Sequence, residues 1–87
     1  MLEKIIVIKN ETGIHARPAS FIVKLAQKYQ SDIILVKNGN EYNCKSIMSI
    51  LSTGAKKGDE MTLKVSGDDS EEAFNSMTNI LEKNLEA

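Results

Sequence analysis

Four segments of this chain have the residue patterns of β-strands, and they lie at residues 2–8, 33–37, 41–45 and 61–66. In the fourth segment apolar and polar residues alternate strictly, which is typical of a strand with one buried face and one face in water. The second and third segments flank Asn38-Gly39, a pair that tolerates positive φ. The pattern therefore predicts a tight hairpin between these two strands.

Three further segments have the periodicity or the end signals of helices. From Pro18 onward, apolar residues at 19, 22, 23 and 26 follow the spacing of one helix face, and this helix is predicted to end near residues 29–31. Ser46, the mostly apolar run 47–51 and Gly54 have the order of an N-cap, a short helix and a glycine stop. The acidic run 68–72 precedes a third apolar stripe that reaches Leu85, and its charge would complement the dipole of a helix there.

The resulting order β-α-β-β-α-β-α predicts an α+β fold in one domain, residues 1–87. Only helices can cover the sheet, and the two long helices have apolar stripes suited to one shared face. A right-handed crossover between the first two strands leaves a gap that a later antiparallel strand can fill. We therefore expect an open-faced β-sandwich, in which three helices cover one face of a four-stranded antiparallel sheet. The order of the strands within that sheet stays open.

Charge and composition narrow the class of partner. The net charge is -1, and the charged residues, 26% of the chain, are split almost evenly between the two signs. Proteins that bind nucleic acid usually carry excess positive charge, because neutralising phosphates supplies most of the affinity. Nucleic acid is therefore not expected as a direct partner, and proteins or small anions fit better.

The single cysteine, Cys44, cannot form an internal disulfide, and it is interpreted as a small strand side chain. The first four residues do not begin a basic region followed by a long apolar run. The longest apolar runs, 5–8 and 33–36, have four residues each, whereas a membrane span needs about 20. We expect a cytoplasmic location and no membrane anchor.

The stretch GIHARPA at residues 13–19 contains the single histidine and the single proline of the chain. Proline is favoured in the first helical turn, so Pro18 predicts a helix start near residues 15–17. His15 would then lie where the leading amides, those of Ala16 and Arg17, can bind an anion. Imidazole is nucleophilic at neutral pH, and the Arg17 guanidinium suits phosphate oxygens. These residues together describe a site for a covalent phosphohistidine.

The residues alone leave an equal alternative, in which His15 is an ordinary helix-start residue and Arg17 a solvated cation. A metal site is disfavoured because zinc needs three or four ligands, and one histidine with one distant cysteine cannot supply them. A serine or cysteine hydrolase is also disfavoured, since the chain offers one possible base and no evident cleft. We expect no metal and no cofactor.

GIHARPA at residues 13–19 and KSIM at residues 45–48 together resemble HPr, the histidine-containing phosphocarrier family of the bacterial sugar phosphotransferase system, in its Gram-positive type. The resemblance covers essentially the whole chain. It implies that His15 accepts a phosphoryl group on Nδ1 from enzyme I, which phosphoenolpyruvate has charged, and passes it to a sugar-specific enzyme IIA. Arg17 would neutralise and steer that group. The protein would act as a monomeric carrier rather than as an enzyme.

Ser46 taken alone is interpreted first as a helix N-cap, a role worth about 1 kcal/mol. The resemblance adds that Ser46 is the target of the HPr kinase/phosphorylase, and that the phosphorylated form binds a catabolite control repressor. A helix N-terminus tolerates the negative charge of phosphoserine, so the fold should survive the modification. If the short helix lies beside the His15 site, as the family implies, that charge would repel an acidic surface of enzyme I.

The residues expected to contact partners are Ala16, Ser20, Lys24, Ile47, Met48 and Leu51. Apolar residues at 47, 48, 50 and 51 cannot all face one side, and Ile50 is predicted to lie in the core. Thr53 stands where the family leads us to expect a bulkier apolar residue, which leaves the limits of the apolar patch open. Two other functions also stay open: a purely regulatory module acting through phosphorylated Ser46, and an HPr-like domain of nitrogen or metabolic regulation.

Overall fold

The computed structural model describes residues 1–83, which form four strands and three helices. The elements in chain order are β1 (Leu2–Val7), α1 (Ala16–Ala26), β2 (Asp32–Lys37), β3 (Asn40–Asn43), α2 (Ile47–Leu51), β4 (Glu60–Ser66) and α3 (Ser70–Leu81). This order confirms the prediction from the sequence. The predicted stripe residue Leu85 lies outside the described residues.

The four strands form one antiparallel sheet in the order β1-β4-β2-β3. The crossover through α1 leaves room beside β1, and β4 fills it, pairing with β1 on one side and with β2 on the other. β2 and β3 form the predicted hairpin, and Asn38 and Gly39 adopt φ values of 53° and 81° at its turn. A two-residue turn with positive φ at both positions matches the right-handed twist of the paired strands.

The helices lie on one face of the sheet, and the buried side chains between the two layers form one hydrophobic cluster. On the sheet side the cluster includes Ile6, Leu35 and Leu63, and α1 contributes its predicted stripe. The other face of the sheet stays open, with Ile5 61% exposed there. The α+β open-faced sandwich is therefore confirmed.

α1 ends at Ala26, so the predicted end near residues 29–31 is wrong. The amides of Lys28 and Tyr29 donate to carbonyls three residues earlier, which tightens the chain and closes the helix. The amides of Gln30 and Ser31 then donate to the carboxylate of Asp69, each at 2.9 Å, next to the start of α3. These long-range hydrogen bonds take the place of the helical bonds that would have continued α1 to the predicted end.

β3 also ends two residues before the predicted end at residue 45. The Asn43 amide donates to Ser49 Oγ at 2.8 Å, and Asn43 Oδ1 accepts the Lys45 amide at 2.9 Å, so the chain turns into α2. Cys44 follows the strand with its side chain fully buried. Burial raises the pKa of its thiol to about 12, which agrees with a packing side chain rather than a reactive one.

Candidate functional site

The loop that precedes α1 is fixed to the rest of the molecule by backbone hydrogen bonds. The Gly13 amide donates to the Asn10 carbonyl at 3.0 Å, which closes a turn. The Ile14 amide donates to the Ala55 carbonyl, also at 3.0 Å, and the Ile14 side chain is buried. The backbone immediately before His15 is therefore held in one place.

Gly13 is required in this loop for two reasons. Its φ is +71°, a conformation that side chains with a Cβ rarely adopt. A Cβ at this position would also collide with the Ala55 carbonyl oxygen and touch the backbone of Lys56. The glycine thus permits the close approach of two chain segments, and that approach anchors the loop beneath His15.

His15 is the N-cap residue of α1. Its carbonyl accepts the Ala19 amide at 2.9 Å, whereas its side chain makes no cap hydrogen bond. Pro18 is buried in the first turn, where a residue without an amide costs no helical hydrogen bond. The helix start predicted from Pro18 is confirmed, and it leaves the imidazole of His15 exposed at the positive end of the helix dipole.

Ala16 and Arg17 are the first two residues of α1, and both are exposed. Amides at these positions have no acceptor within the helix, and their dipoles point toward the space in front of it. A bound phosphate group there would meet the helix dipole, with the Arg17 cation two residues from His15 in sequence. The N-terminus of α1 therefore has the chemistry of an anion site beside a nucleophile.

Ser46 is the N-cap of α2, as predicted, and its Oγ accepts the Ser49 amide at 3.3 Å. The beginning of α2 is joined to the end of α1: Gln27 Nε2 donates to the Lys45 carbonyl at 3.1 Å, and Lys45 Nζ donates to the Tyr29 carbonyl at 2.7 Å. Ser46 therefore lies beside the C-terminal end of α1.

His15 and Ser46 consequently lie near opposite ends of α1. From His15 to Gln27 the chain advances twelve residues, or about 18 Å at the helical rise. α2 packs beside α1, and the segment after it returns to the His15 loop through Ala55. α2 therefore packs against α1, but Ser46, at the start of α2, lies at the end distant from His15.

The apolar residues of α2 divide between core and surface. Ile50 is fully buried, as predicted, whereas Ile47, Met48 and Leu51 are 39%, 69% and 36% exposed. Thr53 is buried, so its departure from the family pattern does not alter the exposed patch. On α1, Ser20 is half-buried and Lys24 is exposed.

Sequence reasoning missed Phe21, which is 43% exposed on α1. It lies between Arg17 and Lys24 at i-4 and i+3, so the three side chains share one face of the helix. The signal was available in the sequence, because Phe21 falls outside the apolar stripe that packs on the sheet. An aromatic residue exposed between two cations is suited to contact another protein.

The two helices beside the candidate site are free of acidic residues. Residues 12–31 contain Arg17, Lys24 and Lys28 and no Asp or Glu, and residues 42–58 contain three further lysines and no Asp or Glu. The net charge of -1 thus conceals an excess of positive charge in the segments that contain α1 and α2, although Lys57 in the second segment pairs with Glu11. Such a region attracts acidic protein surfaces and phosphorylated groups.

Two depressions of the surface lie away from the candidate site. One depression is lined by residues of the β2-β3 turn and of segment 54–60, and a second by residues of β2 and β3 with Lys45; His15 borders neither. Within residues 1–83, no group of three or more His, Cys, Asp or Glu side chains could hold a metal ion. None of the helices in this part of the chain combines the length and apolar character needed to cross a membrane.

Comparison with known proteins links this geometry to one family. A family model described as the PTS HPr component phosphorylation site matches residues 2–83. The chain is 47% identical over 79 residues to phosphocarrier protein HPr of Mycoplasma pneumoniae, and the match covers 90% of each protein. Both findings agree with the resemblance that residues 13–19 and 45–48 indicated.

Solved structures share the fold. An HPr crystal structure from Thermoanaerobacter tengcongensis is 44% identical, with a TM-score of 0.89 over 94% of this chain and 92% of that chain. Crh, described as the Bacillus subtilis catabolite repression containing protein, is 33% identical, with a TM-score of 0.79 over 97% of each chain. That Crh structure is described as a dimer with a swapped domain.

Proposed function

The chain belongs to the HPr family of phosphocarrier proteins, and we propose that His15 is the residue on which it carries the phosphoryl group. The observation that carries this proposal is the exposed imidazole of His15, which stands at the N-cap position of α1 without a side-chain hydrogen bond to the helix. A nucleophile with no structural hydrogen bond to the helix is free to attack phosphorus. The match of residues 2–83 to the PTS HPr phosphorylation-site family favours this role over that of an ordinary helix-start residue.

In the proposed reaction, phosphoenolpyruvate charges enzyme I, and enzyme I presents its phosphoryl group to His15. A bond forms between Nδ1 of His15 and phosphorus while the bond between phosphorus and enzyme I breaks. Arg17 and the amides at the start of α1 stabilise the negative oxygens during both this transfer and the next. A sugar-specific enzyme IIA then attacks the same phosphorus, and His15 is the leaving group.

An exposed acceptor fits a carrier better than an enzyme. Because His15 is exposed, water is excluded and the site is completed only when a partner covers it. Each transfer therefore belongs to a pair of proteins in contact, and we propose that this chain is not itself an enzyme. It needs no metal and no cofactor for this role.

The docking face proposed for enzyme I and enzyme IIA consists of exposed and half-buried side chains along α1 and α2: Ala16, Ser20, Phe21, Lys24, Ile47, Met48 and Leu51. Its apolar residues supply buried area in a complex, and its freedom from acidic residues selects acidic partner surfaces. The positive region of α1 and α2 would also speed encounter with such partners at low salt.

We propose a regulatory role for Ser46. Phosphorylation by an HPr kinase/phosphorylase would add about 1.5 to 2 negative charges at the start of α2. The start of α2 lies near the end of α1, and α1 extends about 18 Å from His15 to Gln27, more than the Debye length of about 8 Å, so this charge acts weakly on His15 itself. It acts on a partner that covers both ends of α1, weakening enzyme I binding and offering a new contact to a catabolite control repressor.

The likeness to Crh favours one alternative, a regulatory module that works through phosphorylated Ser46 without carrying phosphoryl groups to sugars. The presence of His15 with Arg17 in this chain argues against it, because such a module does not need the nucleophile. We also propose that the carrier acts as a monomer, since one chain supplies the whole site. The cytoplasmic location stays a prediction from the sequence.

The proposed function is tested by the intact mass of the protein after incubation with phosphoenolpyruvate and enzyme I, measured at neutral or alkaline pH. Wild type should gain one phosphoryl group that acid removes, and His15→Ala should gain none while keeping its fold. Uptake by His15→Ala would exclude His15 as the acceptor. No uptake by either protein, with enzyme I shown to be active on another carrier, would favour the regulatory module.

A further inference from the structure

We propose that Thr53 is a positioning residue for His15 and that it acts through the backbone of Ala55. The proposal rests on the assignment of His15 as the phosphoryl acceptor and adds to it a residue that does not touch the phosphoryl group. Thr53 is 4% exposed and lies in the turn after α2. A polar side chain buried to this degree needs hydrogen-bond partners, and the partners of Thr53 show which parts of the chain it connects.

The Thr53 hydroxyl makes two hydrogen bonds within its own turn. It donates to the Ile50 carbonyl at 2.8 Å and accepts the Ala55 amide at 3.3 Å. The Thr53 carbonyl in turn accepts Nζ of Lys37 at 3.0 Å, and the same ammonium group pairs with Asp59 at 3.2 Å. One hydroxyl therefore joins the last turn of α2 to the Ala55 peptide, while Lys37 fixes the segment from the sheet.

Ala55 in turn holds the loop before His15 in place. Its carbonyl accepts the Ile14 amide at 3.0 Å, and both residues are nearly inaccessible to water, at 4% and 6% exposure. The same carbonyl faces Gly13 so closely that a Cβ there would collide with it. The Ala55 amide that Thr53 holds and the Ala55 carbonyl that holds Ile14 belong to successive peptide units joined at the buried Ala55 Cα. A shift of Ala55 would consequently displace Ile14, and His15 is attached directly to Ile14.

The placement of His15 matters because transfer between two proteins requires its nitrogen to meet the donor phosphorus in line. A misplacement of about 1 Å at a reacting atom can lower a rate by up to a hundredfold. A bulkier apolar side chain, which the family resemblance leads us to expect at residue 53, would offer neither hydroxyl bond. The two hydroxyl bonds therefore depend on a threonine or serine at residue 53.

The test compares Thr53→Val, which keeps the shape and removes the hydroxyl, with Thr53→Ser, which keeps the hydroxyl. Thr62→Val is the matched control, since Thr62 lies in β4 on the open face of the sheet. The first measurement is amide hydrogen exchange of Ile14 relative to Leu63, a central-strand residue that reports global unfolding. The second is kcat/KM for phosphoryl transfer from enzyme I.

In Thr53→Val both hydroxyl bonds are lost, and we expect the Ile14 amide to exchange about five- to tenfold faster relative to Leu63, because the bond that holds the Ala55 amide is worth roughly 1 kcal/mol. Phosphoryl transfer should slow by about three- to tenfold. Thr53→Ser should restore both values to near wild type, and Thr62→Val should change neither.

Equal acceleration of exchange at Ile14 and Leu63 would overturn the proposal, because Thr53 would then only stabilise the whole fold. If the wild type takes up the phosphoryl group and Thr53→Val transfers it at the wild-type rate, the proposal is also overturned, while His15 remains the acceptor. Failure of the wild type to take up a phosphoryl group would instead overturn the carrier assignment, and the positioning role would fall with it.

Discussion

At the scale of single residues, the site separates the group that reacts from the groups that hold it. His15 presents an exposed imidazole, whereas Ile14 before it and Pro18 in the first turn of α1 are buried. Asn10, Gly13 and Ala55 fix the approach of the chain through backbone bonds. The backbone that leads to the proposed nucleophile is thereby held in place although His15 itself stands at the surface.

Arg17 gives the most direct prediction at this scale. Removing its guanidinium in Arg17→Ala should slow phosphoryl transfer by about tenfold or more, because the developing negative charge would lose a fixed cation. Arg17→Lys should recover only part of the rate, since a lysine ammonium cannot form the planar two-point contact with phosphate oxygens. Stopped-flow or rapid-quench transfer from enzyme I measures both variants.

Lys64→Ala is the control for this series, because Lys64 lies in β4 on the open face of the sheet, away from α1. It removes one positive charge without touching the proposed site. A loss of rate equal to that of Arg17→Ala would mean that overall charge, rather than Arg17, governs the transfer.

At the scale of the elements, short helices and turns are held by side chains that accept backbone amides. Ser46 does this for α2, whose five residues form too short a helix to be stable alone. Asp69 does it for the end of α1, across the loop that joins the helix to β2. Ser46 fixes the start of α2 and Asp69 fixes the chain just after α1, and these two helices form the proposed docking face.

Ser46→Ala should lower the free energy of unfolding by about 0.5–1 kcal/mol through loss of the N-cap bond to the Ser49 amide. Ser46→Asp should retain most of the stability, since its carboxylate can accept the same amide. Urea unfolding measures this, with Ser52→Ala, at the other end of α2, as the matched control. A Ser46→Ala protein as stable as wild type would contradict the capping role.

Asp69 predicts a dependence of stability on pH. Hydrogen bonds from the Ser31 hydroxyl and from the Gln30 and Ser31 amides hold the pKa of Asp69 below its usual range. A lowered pKa in the folded state contributes stability above the unfolded value, about 3.9, and that stability is lost as pH falls through the folded pKa. Asp69→Asn should therefore be less stable than wild type at pH 7, and the difference should shrink below about pH 4.

Urea unfolding at pH 7 and pH 3 checks this prediction. Asp68→Asn is the control, because Asp68 is the exposed neighbour of Asp69 and the amides of Gln30 and Ser31 donate to Asp69 instead. A difference between Asp69→Asn and wild type that is the same at both pH values would show that the charge of Asp69 does not stabilise this loop.

At the scale of the whole molecule, the proposed carrier surface arises from the way the chain returns to one region. α1 and α2 pack side by side, so a partly apolar face with several lysines extends from His15 toward Ser46. One partner that covers this face would contact both ends of α1. This arrangement accounts for the proposed effect of Ser46 phosphorylation on transfer at His15, although the two residues lie near opposite ends of α1, about 18 Å of helix apart.

Local signals in the sequence predicted the elements well. Pro18 favours a helix start because it lacks an amide, and Ser46 does so because its side chain can cap a helix. The alternation of apolar and polar residues at 61–66 predicts a strand with one buried face. The ends of α1 and β3 were wrong because contacts made far along the chain determine them: Asp69 is 38 residues from Ser31. The strand order and the contact between Ala55 and Ile14 are likewise products of the assembled fold.

The central claim is that Nδ1 of His15 carries the phosphoryl group, and nitrogen NMR tests it most directly. The chain contains one histidine, so protein labelled with 15N in histidine reports on a single imidazole. After incubation with enzyme I and phosphoenolpyruvate, we expect a one-bond coupling between 31P and Nδ1 that disappears when enzyme IIA is added. Uptake of phosphate with no coupling to either ring nitrogen, or coupling to Nε2 alone, would contradict the account.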